Sequence, residues 1–148
     1  MDKNAVLIEL SERGRFWRVG FAELSGPEQV FRAIWELESD VNGGGFEQYY
    51  ANSSGDTAFA AAGALAQIGA HNASRIVAAA NAVFPGPAPP PDRAERQALL
   101  DALGHDQRAL LESLGGELMD YPDDLTELLF EYVKKHAAEI DGATAMGL

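Results

Sequence analysis

Histidines, hydroxyls, carboxylates and glycines are the groups in this chain that could do chemistry, and their spacing decides which chemistry is open to them. His71, His105 and His136 stand far apart, and none falls in the H-E-x-x-H arrangement that lets two imidazoles one helical turn apart grip a metal. Ser53 and Ser54 lack the G-x-S-x-G setting that lifts a nucleophilic serine out of a sharp turn. Two acidic windows invite a calcium reading, which needs oxygen ligands at positions 1, 3 and 5, glycine at 6 and a bidentate glutamate at 12. From Asp40 the window has Asn42 and Gly45 in place, but Gly44 and Ala51 occupy two ligand positions. From Asp120 it has Asp124 and Glu131 in place, but Pro122 replaces a ligand and Leu125 the glycine. The run Gly43-Gly44-Gly45 could cradle a phosphate, yet a helical pattern precedes it where a phosphate loop has a strand, and Glu47 follows. Carboxylates are so abundant that no pair stands out as acid and base. With no cysteine, disulfides, thiolate nucleophiles and thiolate metal sites are removed and a cytoplasmic home is expected. We therefore expect no enzyme, no catalytic residue, no metal and no cofactor.

What remains is charge. There are 23 Asp and Glu against 11 Lys and Arg, a net of −12. Such a surface repels nucleic acid and anionic membranes and attracts cations, so the expected partner is a basic protein, with no direct nucleic-acid contact. Acidity also serves plain solubility. The charge is segregated: residues 101–141 hold eleven acids against Arg108, Lys134 and Lys135, a net of −8, whereas residues 57–100 come to +1. Glu28, Glu36, Glu38, Asp40, Glu47 and Asp56 form a second cluster around Arg32. No apolar run approaches the roughly 18 residues of a membrane span, and the start has no signal-peptide layout.

The elements that must position these acids read as helices throughout, so the fold class is all-α, a single compact multi-helix domain over 1–148. An N-terminal helical arm is expected over about 1–22 and the core over about 23–141. Residues 3–13 favour a helix. Ser25-Gly-Pro-Glu28 is a capping box with proline in the first turn, and the helix it opens is expected to stop near Val41, with Asn42 and Gly43 in left-handed conformation. Phe46–Asn52 reads as a turn or two of helix. Ser54 or Asp56 should cap the alanine-rich helix that follows, whose small residues suit a central buried position, and Gly69 should end it. Asn72 should cap the next helix, the proline run 85–91 forms a stiff connector, and Asp92 caps another. Gly104 breaks the chain, Gly115-Gly116 and Tyr121-Pro122 mark turns, and the last helix starts at Asp123-Asp124 and ends in Lys134 and Lys135, the polarity the helix dipole favours.

The stretch VNGGGFEQYYANSSGD, residues 41–56, is the costliest connection in the chain, since each glycine loses more backbone freedom on folding than any other residue. Asn42, Gln48 and Asn52 can bond loose backbone groups at helix ends, and Phe46, Tyr49 and Tyr50 can staple the corner to the core. It reads as a fold-defining corner. Its pattern of Asn42, Gly44, Gly45, Phe46, Gln48, Tyr49, Tyr50, Asn52 and Gly55, with the ALAQIGA segment and the terminal DLTELLFEYV helix, resembles a bacterial domain family of unknown function whose best-known member is an acidic DNA mimic. Gly43 departs from the pattern, where that family commonly has a second asparagine.

The resemblance implies an all-helical fold and, by analogy with the characterised relative, a homodimer whose carboxylates occupy the DNA-binding face of a basic regulatory protein. Duplex DNA of a domain's width, about 38 Å, carries about 22 charges. A monomer at −12 falls short, so mimicry needs a dimer or acids concentrated on one side. Carboxylates three or four residues apart on a helix are neighbours. The candidate acids are therefore Glu36 and Asp40 on the earlier helix and Asp120, Asp123, Asp124, Glu127 and Glu131 at the end, with Asp124, Glu127 and Glu131 as one stripe. The same aspartates would also serve as helix caps, and the glutamates as an ordinary wet face. An immunity-type or structural binding module with incidental acidity is the alternative.

Overall fold

The computed structural model describes residues 2–148 and, among them, contains helices and no strand. Seven α-helices follow in order: α1 Lys3–Arg13, α2 Gly26–Ala51, α3 Ala58–Gln67, α4 His71–Asn81, α5 Arg93–Asp101, α6 His105–Met119 and α7 Leu125–Lys135. The expected all-α fold and single compact domain are what is found.

The hub is α2. Val30, Phe31, Ala33, Ile34, Leu37 and Val41 recur at helical spacing, and all are buried. Against α2 pack α3, α5, α6 and, more lightly, α7; α4 leans on α3 and α6, and α1 lies on α7. The alanine-rich α3, expected at the centre, instead packs only one face inward, Ala58, Ala61, Ala64 and Leu65, and leaves Phe59 in solvent. Small side chains bring its neighbours close but cannot line a whole core.

The α2 start is as expected. Ser25 Oγ accepts from the Glu28 N–H at 3.2 Å and the Glu28 carboxylate accepts from the Ser25 N–H at 2.9 Å. Glu28 is also buried, only 1% exposed, where Arg15 grips it through two nitrogens at 2.7–3.1 Å and the Asp141 N–H donates to it at 3.1 Å. One carboxylate thus joins the chain's N-terminal loop, its longest helix and its C-terminal segment. Burial pushes this carboxyl up, but Arg15 and the two backbone N–H groups outweigh burial and lower it to about 2.

Four expected boundaries are corrected. The helix does not stop at Val41, and Asn42 and Gly43 are not left-handed. Helix runs through Gly43, and the break falls at Gly44 (φ −163°, ψ 19°) and Gly45 (φ 77°, ψ −174°), after which helix resumes to Ala51. Gly115 and Gly116 are interior to α6 and make no turn; Gly115 lies against the kink, where a Cβ would be in ordinary contact with the Gly45 Cα at 3.8 Å. Neither Ser54 nor Asp56 caps α3, which starts after a short 3-10 turn, Ser53–Thr57, with no side-chain cap. Asn72 does not cap α4 either. Its start is capped from 50 residues away by Asp123, whose carboxylate accepts from the Ala73 N–H at 2.8 Å and the Asn72 amide at 3.1 Å. The remaining signals stand: Gly69 ends α3 at φ 88°, Asp92 and Asp124 cap α5 and α7, Gly104 precedes α6, and Tyr121 turns at φ 52°.

Candidate functional site

The motif around the kink is the best-built part of the molecule. Gly45 sits in a backbone region open essentially to glycine alone. Phe46, Tyr49 and Tyr50 then plunge into the core, Phe46 stacking on Tyr50 at 5.8 Å and Tyr50 meeting Phe84 edge-on at 4.7 Å. The Tyr50 hydroxyl donates to Asn81 Oδ1 at 2.7 Å, and the Asn81 amide donates to the Ala58 carbonyl at 2.9 Å. Burial pushes both tyrosine hydroxyls up. Gln48 donates to the Asp40 carbonyl at 3.4 Å, the one amide of the three that bonds a backbone group at a helix end as expected, while the Asn52 amide donates to the Asp40 carboxylate at 3.4 Å. Asn42 is exposed and makes no side-chain hydrogen bond among the described residues.

The end of this segment depends on a residue not expected to matter. Arg96 is 0% exposed, and all five of its N–H groups are used: Nε to the Tyr50 carbonyl at 2.7 Å, Nη1 to those of Pro90 and Pro91 at 3.0 and 3.1 Å, and Nη2 to the Asn52 carbonyl at 2.8 Å and Asp56 at 2.9 Å. It supplies the donors that a helix C-terminus lacks. Arg93 does the same for the Ala51 carbonyl at 2.8 Å. Gly55 is glycine because a Cβ would lie 2.6 Å from the Tyr49 carbonyl and 2.8 Å from Arg96 Nε. The motif, Arg96 and the proline connector are one structural unit.

The carboxylates divide sharply. Glu36 does not lie on the surface: it is 11% exposed, held by Arg32 and the Thr57 hydroxyl at 3.1 Å each, and burial raises its carboxyl. Asp40 is half-buried. Glu127 is paired with Lys3, and Glu131 lies 4.0 Å from Lys3 and 3.9 Å from Lys134. Asp123 and Asp124 are helix caps. Asp124, Glu127 and Glu131 do follow one another along α7, but two of the three face cations. The carboxylates with no lysine, arginine or histidine in ion-pair range, among the described residues, are Asp2, Glu12, Glu23, Glu38, Asp40, Asp92 and Glu95 along the first two thirds of the chain and Asp101, Asp106, Glu112, Glu117, Asp120, Asp123 and Asp124 in a denser run after it. Asp106, Glu117 and Asp120 fall within about 60° of arc on α6, over about 21 Å of its length. Their signal was present as an 11- and 14-residue repeat, hidden because α6 had been divided at its glycines.

Beside the kink lies an open groove of about 560 Å³ between α2 and α6. Gly44, Gly45, Gly115 and Gly116 line it together with Val41, Phe46 and Met119, and its polar lining comprises His105, Glu112 and the Glu47–Arg108 pair at 3.0 Å. No described group of histidines or carboxylates could hold a metal ion, and no described helix is long and apolar enough to cross a membrane.

Comparison with known proteins agrees with the helical corner. No curated protein and no solved structure matches the chain. The family model described as DMP19-like protein matches residues 22–136, from just before the α2 capping box to the end of α7. With most of its length matched, including the whole kinked corner and Arg96, the chain belongs to the DMP19-like protein family.

Proposed function

We propose that this protein is a non-enzymatic acidic interaction protein that imitates DNA, occupying the DNA-binding face of a basic regulatory protein. Its family is of the DNA-mimic type. The observation that carries the reading for this chain is the row of exposed, unpaired carboxylates formed by Asp106 and Glu117 on α6 and Asp120 at its C-cap. Carboxylates with no internal cation keep their full charge for an incoming lysine or arginine. Of the acids expected from sequence, Asp120 stays in the proposed surface; Glu36, Asp123, Asp124 and Glu127 serve the fold, half-buried Asp40 accepts from Asn52, and Glu131 stands between Lys3 and Lys134.

A homodimer fits the same reading, since a monomer carries too little charge for its width. Trp17 and Phe59 are each 46% exposed and are joined by Phe21 and by Arg32, which lies 5.5 Å from the Trp17 ring and 5.9 Å from that of Phe21. Arg13, Arg15, Arg18 and Arg32 of this face are each paired with a carboxylate of their own chain, so a second copy meets little net charge there.

The test is capture of the partner from host lysate, followed by measured affinity against salt and against duplex DNA. Mimicry expects a partner with a basic DNA-binding face, affinity that falls steeply with salt, and displacement by DNA. Reversing Glu117 and Asp120 to lysine should abolish binding. Salt-independent binding, or a double reversal that binds as the parent does, would overturn the proposal and favour an immunity-type or structural module that works by shape.

A further inference from the structure

We propose that the groove between the α2 kink and α6 receives a long cationic side chain, arginine or lysine, from the basic partner protein. This rests on the DNA-mimic reading and gives it a point of entry. Three observations converge. The groove walls include Val41, Phe46 and Met119, an apolar lining for the aliphatic stem of such a side chain. Its charges sum to −1: Arg108 neutralises Glu47 at 3.0 Å, whereas Glu112 has no cation in range. Gly45 and Gly116 carry no side chain and border open space, so a side chain of that length has room to enter.

The fold already shows how a guanidinium is held in this place. Arg108 spans Glu47 Oε1 at 3.0 Å and the Leu100 carbonyl at 2.8 Å, a carboxylate and a backbone acceptor together. Glu112 lies one helical turn further along α6 and offers the next carboxylate. Glycine keeps that position open: a Cβ on Gly45 or Gly116 would meet nothing within 4 Å. A polyanion would face Glu47 and Glu112, and a wholly apolar ligand would strip water from Glu112 and give nothing back. A cation with an apolar stem satisfies both halves of the groove.

The experiment is a ¹⁵N NMR titration of the full chain with acetyl-Arg-Arg-Arg-amide at low salt. It follows the Gly44, Gly45, Gly115 and Gly116 amides, which resonate in a sparse spectral region. Three variants accompany it. Glu112→Gln removes the charge, Gly116→Leu fills the groove without changing charge, and Glu12→Gln removes an exposed acid outside both the groove and the α6 surface. Gly116→Leu has open space and a better helix former, so the fold should survive. We expect saturable shifts at the groove glycines, with Glu112→Gln and Gly116→Leu each weakening the peptide by at least about fivefold and Glu12→Gln by less than about twofold. If Gly116→Leu binds like the parent and the two glutamine variants weaken equally, attraction is diffuse. The groove proposal then falls while mimicry stands. If the parent shows no binding anywhere, both fall.

Discussion

Replacing Arg96 by lysine keeps the charge and the stem and should still cripple the domain. The guanidinium donates five hydrogen bonds, four of them to backbone carbonyls at 2.7–3.1 Å, from a position with no solvent exposure. An ammonium has three donors, set tetrahedrally where the site is planar. At least two acceptors must therefore go without. Asp56 is 44% exposed and can turn to water, so the smallest loss leaves one buried carbonyl unpaired. That costs about 1–3 kcal/mol, and imperfect geometry at the others brings the expected loss to about 2–4 kcal/mol. Arg96→Met removes every donor but also removes a buried charge, so it should cost about 3–5 kcal/mol, near the lower end of whole-domain stability.

Urea unfolding followed by far-UV circular dichroism measures this directly, with an unchanged slope showing that the unfolded state is the same. Arg93→Ala is the control: it loses one exposed bond to the Ala51 carbonyl and should cost about 1 kcal/mol or less. If Arg96→Lys loses less than about 1 kcal/mol, then water or rearrangement satisfies those carbonyls, and Arg96 is not what closes α2.

Two glycines of the groove should respond in opposite directions to alanine. Gly45→Ala forces a side chain into φ 77°, ψ −174° and should cost about 1–3 kcal/mol, whereas Gly116→Ala, mid-helix with open space, should gain about 0.5–1 kcal/mol in the same urea assay. Tyr49→Phe should be neutral or stabilising, because the buried Tyr49 hydroxyl has no hydrogen-bond partner among the described residues; a loss above about 1 kcal/mol would reveal one. Acid stability should report Glu28. Its folded pKa of about 2 lies below the reference 4.5, so the unfolded state binds the extra proton and the stabilisation, about 3 kcal/mol, is complete above about pH 4.5 and lost as pH falls toward 2. Glu28→Gln should flatten that limb of a stability-against-pH curve, and an unaltered limb would refute the assignment.

Local signals located most of the helices because their causes are local. The capping box at Ser25–Glu28, the Asp92 and Asp124 caps and the glycine stop at Gly69 each act within four residues. What was illegible is what the chain completes at a distance. Asp123 looks like a cap for its own helix and instead caps α4, 50 residues back. Gly115 and Gly116 look like a turn, since nothing nearby announces that α6 will run on through them with Gly115 packed on the kink of α2. The acidic surface failed for the same reason. Lys3 is remote in sequence from Glu127 and Glu131, so a stripe that reads as free is partly neutralised once α1 lies on α7. Arg96 did leave a trace, as a charge on the apolar stripe it shares with Leu99, Leu100 and Leu103. Such a residue must be paired or its helix misread.

The division of labour between motif and surface bears on how far family membership can carry function. Among the motif residues, Phe46, Tyr49 and Tyr50 are buried, Gly45 and Gly55 are fixed by backbone geometry, and Gln48 and Asn52 bond the corner itself. A sequence that keeps them keeps the kinked hub and its groove. The α6 carboxylates Asp106, Glu117 and Asp120 sit on a solvent face where almost any polar residue would be tolerated, so nothing in the fold requires them to be acidic. On the proposed function, charge on that face is what would separate a DNA mimic from a relative that merely shares the corner. Neutralising all three should leave urea stability within about 0.5 kcal/mol of the parent while removing partner binding. A large stability loss would mean that those acids belong to the architecture after all.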